Sequence, residues 1–180
     1  MKKIVLVFGL IAGLIVTALM VLSIAKCYNN RDFESSMFLG YAAMLLAFSF
    51  IFVGIKNYRD KYNNGAITFG KGFKIGLLIS LIASTMYVVV WLIDYYLFIP
   101  DFMDRYAEHV LLQAKKDGAT AAELTAKTQQ MAEYKEMYKN PILVILFTYA
   151  EILPIGLLIT IISALILKRK TNHLSSIQTA

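Results

Sequence analysis

The chain has 180 residues, of which 58% are hydrophobic and only 17% charged, with a formal net charge of +6. A soluble domain is about 45–50% apolar and about 25% charged, and a chain this short has too much surface to hide the excess. A disordered chain is therefore excluded and a single soluble globule disfavoured, which leaves an integral membrane protein.

A helix that crosses the hydrocarbon needs about 20 mostly apolar residues. Residues 4–25, from Ile4 to Ala25, carry no charge. This stretch exceeds the apolar core of a cleaved signal, about 7–15 residues, and reads as a retained anchor. Cys27 follows it as the single cysteine, too few for an intramolecular disulfide. Residues 37–55 form a second uncharged stretch, and 75–99 a third that meets one acid, Asp94, near its end. The fourth, 142–167, carries one charge, Glu151. These runs are too long for membrane strands, and helix satisfies the backbone without water.

Between the third and fourth spans lies the only sizeable polar region, residues 101–140. Phe102, Met103, Tyr106 and Val110 share a helical face until Asp117-Gly118 breaks the pattern. Thr120 and Glu123 have capping-box spacing at the start of a second helix. Leu124, Met131, Tyr134 and Tyr138 then form an apolar stripe that Lys127 interrupts. Asn140-Pro141 suits the cap and first turn of the fourth span. The predicted fold is all-α: a single membrane domain over 1–170, a four-helix bundle with an extracytoplasmic helical hairpin between spans 3 and 4. Residues 171–180 form a polar cytoplasmic tail.

Orientation follows from the basic residues. Ten lie on one side: Lys2, Lys3, Lys56, Arg59, Lys61, Lys71, Lys74, Lys168, Arg169 and Lys170. The other side has Lys26, Arg31 and a long loop whose acids nearly balance its bases. The positive-inside rule then places both termini in the cytoplasm. Topology and anionic headgroups account for the net positive charge, and nucleic acid is not an expected partner.

Small residues recur every four positions. Gly9, Gly13 and Thr17 line one face of the first span; Gly72, Gly76, Ser80 and Ser84 line one face of the third. Such faces let helix backbones approach closely. Spacing alone leaves open whether they meet within one chain or across a homo-oligomer. Glu151 and Asp94 are the candidate intramembrane functional acids. Glu151 lies nine residues past Ile142, about 14 Å into its span. A central charge there costs about 2.5–3.5 kcal/mol on insertion scales, so it is expected to be protonated, paired or facing a polar interior. Pro154, three residues on, removes a helical hydrogen bond and marks an expected kink. Asp94 lies shallower, within reach of Lys26 or Arg31 by snorkelling. No metal, hydrolase or Walker motif accompanies them, so no catalytic residue, metal or cofactor is expected and the protein reads as non-enzymatic.

Lys56-Asn57-Tyr58-Arg59-Asp60, then Gly65 to Phe73 leading into the third span, a polar Met-bearing segment before Asn140-Pro141, and a last span closing on Lys168-Arg169-Lys170 together carry a resemblance. In that order they resemble the bacterial four-pass membrane family known as domain of unknown function 4199, over roughly residues 5–170. The resemblance implies an inner-membrane protein of Bacteroidota-like bacteria and carries over no activity or site residue. The expected function is that of a non-enzymatic integral membrane protein whose specific role the sequence does not name, with an envelope scaffold or complex subunit meeting a protein partner at 101–140 as the form it suggests. The alternative is a small proton- or cation-coupled transporter or channel using Glu151.

Overall fold

The computed structural model describes residues 1–30 and 33–169. Arg31, Lys170 and the tail 171–180 lie outside the described residues. Among the described residues six α-helices follow in order: α1 (Lys2–Asn30), α2 (Phe33–Tyr62), α3 (Phe69–Ile93), α4 (Phe102–Lys116), α5 (Ala121–Tyr138) and α6 (Pro141–Leu167). Four stretches of the described residues, Lys2–Tyr28, Phe38–Tyr62, Phe69–Phe98 and Pro141–Leu167, are long and apolar enough to cross a membrane. Their outer faces hold Leu14, Leu22, Leu45 and Ile166 exposed, as a lipid-facing bundle requires.

Each boundary has a local cause. The turn after α2 uses positive φ at Asn64 and Gly65 (50° and 75°), and the Asn63 side chain donates to the Ala66 carbonyl. Thr68 then caps α3 by accepting from the Lys71 N–H at 3.3 Å. The third span thus starts six residues earlier than its apolar run, because capping rather than hydropathy begins the helix. At its far end Pro100 has no N–H to donate. The Ile99 N–H reaches back five residues to the Asp94 carbonyl at 3.0 Å, which closes a π-helical turn over Asp94–Phe98. Thr120 and Glu123 form the expected capping box, and Asn140 caps α6 with Pro141 at its start. Helix α6 runs unbroken through Pro154, whose ring is exposed on the outer face.

In the bundle α1 packs on α2 and α3, and α6 on α3 and α2, which sets α1 and α6 at opposite corners. The small-residue faces explain this arrangement. A Cβ added at Gly76 would lie 2.7 Å from Thr160 Cγ2 and 3.0 Å from Ile51 Cγ2, and one at Gly72 3.4 Å from Ala164 Cβ. The stripe on α3 therefore meets a matching stripe on α6, Gly156, Thr160 and Ala164, which the sequence reading did not single out. Gly9 and Gly13 of α1 meet another face of α3, at Ile82 and Ala83. Both contacts lie within one chain. At one end of the bundle Ile67 and Arg169 exchange backbone hydrogen bonds (3.0 and 2.8 Å), tying the α2–α3 loop to the end of α6.

At the opposite end α4 and α5 pack against each other. Met103, Ala114 and Met131 are buried, and Lys135 pairs with Asp104 at 2.5 Å. Of the stripe on α5, Met131 is inside and Tyr134 remains exposed.

Candidate functional site

In the half of the bundle next to α4 the helices part around a cavity of about 230 Å³. All six helices contribute to its lining. Met20 and Cys27 come from α1, Gly40 and Ala43 from α2, Tyr87 and Trp91 from α3, and Glu151 from α6. Helix α4 adds Phe102 and Tyr106, and α5 adds Tyr138. Space remains there because the small-residue stripes of α3 and α6 end below it. Past Ser84 the α3 face turns to Tyr87 and Trp91, whose bulk holds the helices apart.

The roof is aromatic and fixed. Phe102 packs edge-on against Trp91 with ring centroids 5.3 Å apart and stacks on Tyr106. Tyr95 packs on Tyr138 at 5.5 Å, and the Tyr96 hydroxyl donates to the Tyr138 carbonyl at 3.0 Å. Burial pushes the Tyr138 phenol up to about 12. One clamp ties α4 down onto α1. The Tyr28 hydroxyl donates to Asp101 Oδ1 at 2.5 Å, and Arg105 Nε donates to Asp101 Oδ2 at 2.8 Å. The Arg105 guanidinium lies 3.8 Å from the centroid of the Tyr28 ring. The hydrogen bond from Tyr28, then that from Arg105, hold the Asp101 carboxyl below the usual carboxylate range.

Among the described residues Glu151 is the one acid lining the cavity, and no basic side chain lines it. Glu151 is exposed and lines the cavity. Among the described residues it makes no hydrogen bond or ion pair, so neither an internal donor nor a carbonyl freed by Pro154 engages it. The neighbouring Thr148 hydroxyl donates to the Val144 carbonyl at 2.7 Å. Asp94 is not brought to Glu151. It sits half-buried at the π-helical turn, outside the cavity lining, and among the described residues it forms no ion pair. Lys26 is exposed and lines a separate apolar groove on α1 and α2.

Most of the small-residue positions lie below the cavity; Thr17 stands at its level on α1, between the lining residues Val16 and Met20. The hydroxyls of Thr17, Ser80, Ser84 and Thr160 are buried without a hydrogen-bond partner, in contrast to Thr148 and Thr85, which bond back to their own helices. No group of three or more His, Cys, Asp or Glu is placed to hold a metal among the described residues.

Four apolar helices, a glycine-bearing α2–α3 turn bridged to Arg169, and a polar helix pair before the Asn140-Pro141 cap make up the described chain. The family model described as Protein of unknown function (DUF4199) matches residues 7–169. The chain belongs to this family. The DUF4199 match begins inside α1 and ends at Arg169, so it takes in the cavity, its roof and the Ile67–Arg169 bridge alike. No curated protein and no solved structure matches the chain.

The sequence reading singled out Glu151 and missed most of its surroundings. Asp101 and Arg105 stand at i,i+4 spacing, a legible ion pair, but Tyr28 is 73 positions away. The place of Trp91 on the cavity wall depends on how α3 is rotated in the bundle.

Proposed function

We propose that this DUF4199 protein is a non-enzymatic, multi-pass protein of the bacterial inner membrane that passes protons or small cations through a site at Glu151. One observation carries the reading: Glu151, without a partner among the described residues, lines a cavity to which those residues bring no basic side chain. An ionisable group within a membrane span is costly, and is kept where it faces a pathway or a ligand. The basic asymmetry puts both termini in the cytoplasm, so the cavity lies in the outer half of the bilayer. The scaffold reading has less support, because in the α5 stripe Met131 is buried and Tyr134 alone is exposed.

The test is flux. Full-length protein in liposomes with an internal pH dye is given an inward proton gradient and a potassium diffusion potential. The wild type is expected to dissipate the gradient, Glu151→Gln at least tenfold more slowly, and Glu151→Asp at an intermediate rate. No flux from the wild type, or equal rates from all three, overturns the proposal.

A further inference from the structure

The shape and chemistry of the cavity narrow what Glu151 would meet. A cavity of about 150 Å³ lined by apolar side chains takes a benzene-sized guest. At about 230 Å³ this one holds a guest about half again as large. Among its described lining residues the one formal charge is negative, and burying an ionised carboxylate alone is expensive unless a cation joins it. A bare metal ion fits poorly. It demands several oxygen ligands, and among the described residues Glu151 is the one carboxylate on the wall and no group of three or more His, Cys, Asp or Glu is placed to hold a metal. The rest of the wall is rich in rings, with Tyr87, Trp91 and Tyr138 among them. Aromatic rings attract a cation whose charge is spread over a carbon shell, and the gain grows when water is excluded. The one cation on the roof helix near Tyr106, Arg105, is engaged by Asp101 and the Tyr28 ring.

We propose that the cavity binds a compact organic cation, an amine or quaternary ammonium, with its charge against Glu151 and its carbon shell against Tyr87, Trp91 and Tyr138. The inference rests on the reading of Glu151 as a cation site and names the class of cation. In this site the carboxylate supplies the counter-charge, the rings supply selectivity over hydrated metal ions, and the volume excludes long-chain amines.

Trp91 is the single tryptophan of the chain, so its fluorescence reports the cavity directly, independent of transport. Full-length protein in lipid nanodiscs is titrated with phenyltrimethylammonium and, separately, with its neutral isostere tert-butylbenzene. The expected result is a saturable change in Trp91 emission with the cation, at least tenfold tighter than with the isostere. Glu151→Gln should weaken the cation at least tenfold and leave the isostere unmoved; Glu151→Asp, which keeps the charge, should retain most of the affinity. Equal binding of the two probes, or a cation affinity indifferent to Glu151→Gln, overturns the assignment. So does the absence of any response to the cation, and if the same preparation still conducts protons, the proposed function survives without it. Cation binding in a preparation that conducts nothing supports the site and overturns the flux reading.

Discussion

Glu151 and Asp101 are both carboxyls near the same end of the bundle, and their surroundings give them opposite tasks. Asp101 accepts from Tyr28 and Arg105 and is structural: it holds α4 on α1 over the cavity. Glu151 has no such partner among the described residues and remains available to a ligand. The clamp has a predictable pH dependence. Hydrogen bonds to the charged form depress the Asp101 carboxyl in the folded state. Its contribution is therefore complete above the ordinary carboxylate value of about 3.9 and is lost as the pH falls through the lower folded value. Asp101→Asn is expected to lower the melting temperature at neutral pH. Its deficit against wild type should shrink only in strong acid, below about pH 4. Scanning calorimetry or a thiol-dye melt across that range checks this; a deficit constant down to pH 2 would place the stabilisation elsewhere.

At the scale of elements, the decisive contact is the seam of α3 against α6. Lipid tails are as apolar as leucine, so the seam is held by close backbone approach and dispersion rather than by a hydrophobic drive. Gly76 tests it, because its Cβ would meet Thr160 and Ile51 on two neighbouring helices. Gly76→Ala is expected to cost about 1–3 kcal/mol by overpacking. Gly40 makes the contrast. It lines the cavity, and among the described residues nothing lies within 4 Å of an added Cβ. Gly40→Ala should be neutral or stabilising by up to about 1 kcal/mol, the helix-propensity gain. Unfolding in mixed micelles with rising SDS ranks the two variants; equal effects would show that the α3–α6 seam is not closely packed. Thr120 and Asn140 show what is legible at this scale without tertiary context. Capping is a contact within three residues, so spacing alone predicts it.

For the whole molecule, the basic residues of the α2–α3 loop and of the end of α6 are brought to one end, where Ile67 and Arg169 are bridged. The α4–α5 pair stands at the other. Charge asymmetry then predicts the orientation in the bilayer. A reporter fused after Ala180 should be active only in the cytoplasm, and one inserted at Gly118, in the turn between α4 and α5, only on the outer side. The reverse pattern in a paired-reporter assay would invert the topology and move the cavity to the inner leaflet.

Hydropathy alone determined that four helices cross the bilayer, because span length and backbone satisfaction leave no other solution for such runs. Local chemistry added the caps at Thr120 and Asn140 and marked Glu151 as exceptional. Only the tertiary structure decided that the stripe on α3 meets Gly156 and Thr160 of α6, that Gly9 and Gly13 meet a different face of α3, and that Glu151 opens onto a cavity while Asp94 does not. The reason is rotational. In a span that is apolar all round, periodicity does not say which face turns inward. That choice is made by fitting small residues against the bulk of distant helices, over separations such as that from Tyr28 to Asp101, to which sequence spacing is blind.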